Sequence, residues 1–226
     1  MGEMSMQELL RTVPMPGRIR ALPRNKVGYP IPFFAAEIDG VRDFRIGDPD
    51  AYRRCASRER LCWICGQPRR KGENAFVVGP MCAVNRTSQD PPCHRACAEY
   101  GARVCPFMAR PAMVRRHGGL PDGVGNAGVA IMRNPGVSLV WDTSTWETFR
   151  PPVGAEFGVL FEFGDPAYVS WWACSRPATR DEVLASFESG LPLLEEQCDM
   201  DKDPAAARRA LVWQRDRALQ VVPSEN

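Results

Sequence analysis

The alternation of apolar and polar positions changes character several times along the chain, and each change predicts an element. Residues 31–46, IPFFAAEI-DG-VRDFRI, read as two apolar-rich strands joined at Asp39-Gly40, a dipeptide suited to the positive φ angles of a tight hairpin turn. Residues 1–28, upstream, are polar, basic and proline-containing, which predicts an irregular arm with at most a short helix near Gln7–Thr12. Asp48-Pro49 reads as an N-cap and first helical residue, opening a helix to about Arg58. Asn74–Val78 and Cys82–Arg86 flank Gly79-Pro80 and predict a second hairpin. Residues 108–136 are rich in Gly, Pro and Arg and read as loop. Beyond them VSLVWDT, GVLFEF and YVSWWA, split by turn residues such as Gly164-Asp165-Pro166, predict an antiparallel meander.

The C-terminal third switches to helical signals. Thr179 with Glu182 three residues on is a capping box, with Val183, Leu184 and Phe187 as the buried stripe. Gly190-Leu191-Pro192 should end or kink that helix. Asp203-Pro204 starts another, with Leu211, Val212 and Leu219 as its apolar face. The whole is an α+β pattern, and 21 prolines in 226 residues argue against a long-helix bundle. No run approaches the ~18 apolar residues of a membrane span. The N-terminus has no apolar core of a secretory signal, and Met6 stands where a myristoylation motif needs Ser or Thr. A cytoplasmic location is the expectation.

Nine cysteines and two histidines then change the picture. In a reducing compartment, spaced cysteine pairs point to metal rather than to disulfides. Cys62-Trp-Ile-Cys65-Gly66 can turn two thiolates toward one ion, with Gly66 supplying a positive φ. Pro91-Pro92-Cys93-His94-Arg95-Ala96-Cys97 opens a helix that places His94 and Cys97 on one face of its first turn. Cys93 is the alternative to His94, since an i,i+4 pair with Cys97 is also compatible with a helix. The order knuckle, hairpin, ligand pair on a helix resembles the treble-clef zinc finger over residues 61–106. That resemblance implies a closed, structural Zn²⁺ held by Cys62, Cys65, His94 and Cys97. Cys82 and Cys105 read as small buried groups or as ligands of a second metal; Cys55, Cys174 and Cys198 stand alone.

Catalytic motifs are poorly matched. A zinc deaminase needs a proton-shuttling Glu where Val84 stands, and a Cys-x-x-Cys where Cys93 and Cys97 have three residues between them rather than two. A nuclease on a treble-clef scaffold needs a hairpin His, absent from FVVGPMC. His117 is the one other imidazole, and Gly118–Gly128 lacks the phosphate-cradling patterns.

The net charge of +2 hides an uneven distribution. Residues 53–116 hold thirteen Arg and Lys against four acids, a local +9, whereas residues 117–226 hold nine against sixteen, a local −7. Arg bonds phosphate bidentately and stacks on bases, so Arg69, Arg70, Lys71, Arg86, Arg95, Arg103, Arg115 and Arg116 are candidate nucleic-acid contacts. Trp63, Phe76, Tyr100 and Phe107 lie near them in sequence and are core or stacking candidates. The competing reading pairs these cations with the acidic C-terminal half, which otherwise suits a protein partner.

Taken together, GYPIPFF, DGVRDFRI, LCWICGQP, FVVGPMCAVNRTSQDPPCHRACAEY, CPF and RPATRDEVLASFESGLPLL resemble a family encoded in bacteriophage and bacterial genomes, across most of residues 28–195. The resemblance implies a phage or prophage setting and a zinc-binding module, and brings no catalytic residues. The expected organisation is an arm at 1–28, a hairpin plus basic zinc module at 29–116, and an antiparallel sheet with C-terminal helices at 117–226, the last two forming one compact unit. The expected function is non-enzymatic nucleic-acid binding. The alternatives are an adaptor or inhibitor of a host enzyme using the acidic half, then a zinc-dependent nuclease or other hydrolase.

Overall fold

A computed structural model describes residues 6–110, 113–114, 134–150 and 159–225. The chain is a mixed α+β fold in which every strand pairing is antiparallel. Two short helices, α1 (Met6–Thr12) and α2 (Gly17–Arg20), precede a hairpin of β1 (Ala35–Ile38) and β2 (Val41–Gly47). The region read as an irregular arm thus holds helical turns, and it buries Leu9, Val13 and Ile19 in the core. The hairpin turns at Asp39 (φ 50°) and Gly40 (φ 74°), as the dipeptide demands. Helix α3 (Pro49–Ala56) follows, with the Asp48 carboxylate accepting from Asp50 N–H at 2.8 Å.

The central sheet runs β3 (Asn74–Val78), β5 (Ser138–Thr143), β8 (Pro166–Ala173) and β9 (Arg176–Pro177) in that spatial order. A second sheet orders β4 (Thr87–Ser88), β7 (Leu160–Phe163) and β6 (Trp146–Phe149). The three runs expected as a meander are therefore divided: β5 pairs directly with β8, and β7 leaves to the other sheet. Phe76 of β3 and Trp141 of β5 are register partners, so they share a face, and Phe163 of β7 packs on both at 5.1 and 5.2 Å between centroids. This aromatic layer joins the two sheets.

The expected second hairpin is a correction. After β3 the chain enters a helix, α4 (Pro80–Asn85), with Gly79 extended as N-cap and Pro80 in the first turn. Proline has no N–H to give a ladder but costs nothing at that helical position, so Gly-Pro opens a helix here instead of closing a turn. Helix α5 (Arg95–Val104) packs on β3, β5 and β8; α6 (Arg180–Asp199) and α7 (Pro204–Leu219) pack on each other and on α4. Gly190-Leu191-Pro192 does not end α6, which runs on through Pro192 to Asp199, and contrary to expectation Val212 is exposed rather than buried on α7. Among the described residues no helix is long and apolar enough to cross a membrane.

The capping box of α6 is present. Thr179 Oγ1 accepts from Glu182 N–H at 3.3 Å, and the Glu182 carboxylate accepts from Thr179 N–H at 2.8 Å. Arg176 adds two bonds at 2.6 and 2.9 Å, and these, with the cap, bring the Glu182 carboxyl down from 4.5 to about 2. Glu182→Ala is expected to cost about 1 kcal/mol at neutral pH. A depressed carboxyl stabilises the fold above its unfolded value and stops doing so as acid protonates it. The gap between wild type and variant in a urea-unfolding series should therefore close as pH falls from 4.5 toward 2.

Candidate metal centre

The centre is assembled by two pieces of chain brought face to face. The first is the knuckle Cys62–Gly66, closed by Gly66 N–H donating to Cys62 C=O at 2.8 Å and Cys62 N–H to Gln67 C=O at 2.9 Å. Gly66 sits at φ 70°, and a Cβ there would lie 2.7 Å from the Phe33 ring, so both conformation and space exclude a side chain. The second piece is the start of α5, where His94 is the N-cap and Cys97 lies in the first turn. A two-way backbone pairing between Ala75 and Cys93 (2.9 and 2.7 Å) fixes that helix start against β3.

Cys62, Cys65, His94 and Cys97 converge, all buried, with their donor atoms within 4.8 Å of one another. His94 Nδ1 is 3.4 Å from Cys65 Sγ and 3.9 Å from Cys97 Sγ. Zinc bonds of about 2.3 Å to sulfur and about 2.0–2.1 Å to nitrogen, set tetrahedrally, would put neighbouring donors roughly 3.5–3.8 Å apart. The other ring nitrogen, Nε2, is 3.1 Å from the Pro68 carbonyl and can donate to it, which leaves Nδ1 with the lone pair facing the sulfurs. His94 N–H also points at Cys62 Sγ, 3.4 Å away. A soft, closed, buried set of three thiols and one imidazole fits zinc in a structural role.

Compared with known proteins, the chain matches no family model, no curated protein and no solved structure.

Cys93, the alternative ligand, is buried outside the four-donor cluster, its thiol donating to the Pro91 carbonyl at 3.9 Å. Burial pushes Cys93 up, and its contact with the Cys62 sulfur pushes it further the same way. Cys82 and Cys105 join no cluster of three or more donors among the described residues. His117, Arg115 and Arg116 lie outside the described residues.

The candidate nucleic-acid residues separate sharply. Arg69 is a correction: it is 5 % exposed and faces inward. Its guanidinium donates to the carbonyls of Leu61, Glu73 and Cys55 at 3.3, 3.0 and 3.4 Å and to Asn74 Oδ1. Arg86 bonds Asp165 at 2.7 Å and lies over Trp141. Arg103 donates to Ser175 C=O at 3.2 Å and lies over Trp172. Arg95 reaches Asp142 at 3.8 Å and covers Tyr168, yet stays half exposed. Part of the basic island is thus matched within the chain, as the competing reading held. Trp63, Phe76 and Tyr100 are buried in the core.

Arg70 and Lys71 are exposed, on a tight turn in which Glu73 N–H donates to Arg70 C=O at 3.2 Å and Gly72 supplies φ 82°. Lys71 and Gly72 line two adjoining clefts. The smaller, of about 420 Å³, gathers Arg18, Arg70, Lys71 and Arg95 around Glu73 and Asp142. The larger, of about 840 Å³, runs from Arg60 and Lys71 past Trp146 to Trp213 on α7. Arg18, Arg60, Arg70 and Lys71 make no ion pair among the described residues. Sequence alone gives Arg18 and Arg60 no distinction, since they look like ordinary surface charges until the fold brings them to the Lys71 turn.

Proposed function

We propose that this protein binds nucleic acid through the cationic face around the Lys71–Gly72 turn, with the Cys₃His centre holding a structural zinc beneath it. The observation that carries the reading is the gathering of Arg18, Arg60, Arg70 and Lys71 about two clefts that share this turn. The turn leaves the knuckle only five residues after Cys65, and Arg69 and Asn74 tie both its ends to buried carbonyls. A metal at the knuckle would therefore fix the position of the phosphate-binding cations. All four donors are buried, which leaves a bound ion no open position for substrate, so the work of this face is binding. The setting that goes with the family resemblance is a phage- or prophage-encoded protein in a bacterial cytoplasm.

The test is the double charge reversal Arg70→Glu with Lys71→Glu, both in exposed positions. Each phosphate that the protein ceases to neutralise takes roughly 0.7–0.9 from the slope of log K against log salt, so the variant should bind at least tenfold more weakly at ~0.1 M salt with a visibly flatter slope. An unchanged affinity would remove the proposal. The adaptor reading has its own support in Leu193 and Met200, exposed on and just after the acid-rich helix α6, and in Val212, exposed on α7. It expects capture from a bacterial host extract to survive nuclease treatment and the charge reversal alike.

A further inference from the structure

The larger cleft carries an aromatic residue that the cationic turn alone does not account for. Trp213 of α7 lines its rim and is 59 % exposed, an uncommon place for an indole that serves no packing role. It is not loose. The Arg217 guanidinium lies over its ring, 4.5 Å from the centroid, and donates to Asp165 at 2.6 Å. Asp165 takes a second bond from Arg86 at 2.7 Å, on the same oxygen, and Arg86 lies over the buried Trp141 at 5.1 Å. A chain of contacts, Trp141, Arg86, Asp165, Arg217 and Trp213, thus runs from the core of the sheet to the cleft rim. Each link is a modest interaction, but together they hold an exposed ring in one place before any ligand arrives.

On the strength of this arrangement we infer that the ligand of this face is single-stranded nucleic acid, with one unstacked base laid on Trp213 and its backbone phosphates running toward Lys71 and Arg60. The inference rests on the nucleic-acid reading above and adds the class of strand. In a duplex the base faces are already covered by their neighbours, so a ring fixed at a cleft rim can stack only on a base that has left a helix. Charge sets the direction of the strand's backbone. Glu147 and Glu162, cross-strand partners on β6 and β7, line the same cleft and repel phosphate, whereas Arg60 and Lys71 line it without an acidic partner among the described residues. The phosphates are thereby confined to the Lys71 side.

The experiment titrates the full-length protein with labelled single strands of roughly 12 nucleotides, as DNA and as RNA, and with the matching duplex, site sizes being in that range for such proteins. Wild type should bind a single strand more tightly than the duplex. Trp213→Ala should lower single-strand affinity about tenfold or more while leaving duplex affinity and the salt slope unchanged, and Trp213→Phe should restore most of the loss. Far-ultraviolet circular dichroism of each variant confirms that the fold is kept. If Trp213→Ala binds single strands as wild type does while Arg70→Glu with Lys71→Glu fails to, the stacking inference is overturned and the nucleic-acid reading stands. If wild type binds neither strand form, both fall.

Discussion

Removing the metal with a strong chelator is expected to unfold the segment from Leu61 to Val104, and Cys62→Ser to have the same effect without a chelator. The four donors sit where a core would otherwise be, with Cys62 and Cys97 fully buried. A structural zinc contributes apparent binding energies of about 10–16 kcal/mol, as large as the stability of a whole domain at about 5–15 kcal/mol. Losing even 5 kcal/mol of that should lower the unfolding temperature by roughly 10–20 °C in a chain of this size. The pH dependence has a definite sign. Burial alone would push Cys62 up, but hydrogen bonds from Cys65, Cys93, Cys97 and His94 outweigh it and hold this thiol well below its ordinary range. Cys97 is held up by its bonds to Cys62 and Cys65. Desolvation works against a charged His94, yet its contacts with Cys62 and Cys65 win and raise it to about 10. Both Cys97 and His94 must give up a proton to bind the ion, so acid favours release, and chelator should strip the metal more readily at low pH. Elemental analysis beside thermal unfolding checks all of this; protein free of stoichiometric zinc, or a Cys62→Ser variant as stable as wild type, would count against the centre.

How much of this was legible in the sequence depends on how local each signal is. Asp48-Pro49, Thr179 with Glu182, and Asp203-Pro204 each act on backbone N–H groups two or three residues away, and all three open helices where expected. Asp39-Gly40 is equally local. The donor set was readable for the same reason: two short spacings each place a pair, and the fold has only to bring the pairs together. Gly79-Pro80 was not decidable locally, because it suits a turn and a helix start alike; what decides is that β3 finds its partner in β5, some sixty residues on. A pattern of apolar residues says that VSLVWDT, GVLFEF and YVSWWA are strands but carries no label for the partner, which is why their division between two sheets was hidden. Charge was the least legible. A count of arginines cannot tell Arg69, drawn inside by the knuckle, from Arg70, its neighbour facing solvent. Trp213 gave one faint signal, a bulky aromatic among the polar and small residues of AAARRALVWQRDR, off the expected apolar stripe.

Arg69→Met is expected to destabilise the protein by about 3–5 kcal/mol, although its place in the basic island makes the side chain look like a phosphate ligand. Its guanidinium bridges four acceptors from three stretches of chain: Cys55 near the end of α3, Leu61 before the knuckle, and the consecutive Glu73 and Asn74, where the turn passes into β3. Asn74 passes the connection on, donating to Thr143 C=O at 3.0 Å and accepting from the Trp146 indole N–H at 3.0 Å. Removing the hub leaves buried acceptors without donors, each costing about 1–3 kcal/mol. Lysine cannot rescue this fully, because one ammonium lacks the planar fork that spans several acceptors at once. The charge matters too. Three thiolates, a neutral imidazole and a divalent ion sum to −1, and Arg69 is a buried cation whose field reaches Cys93, Cys62 and Cys55. Burial pushes Arg69 down, those sulfurs push it up, and its charge offsets the centre's own. Arg69→Met should therefore lower the urea midpoint and speed zinc loss to a chelator, with Arg69→Lys intermediate in both. At low temperature, where the variant is still folded, Asn74 still holds the far end of the turn, so nucleic-acid affinity should fall less than in the Arg70→Glu with Lys71→Glu variant. The opposite pattern, full stability with weakened binding, would mean that Arg69 turns outward to meet phosphate after all.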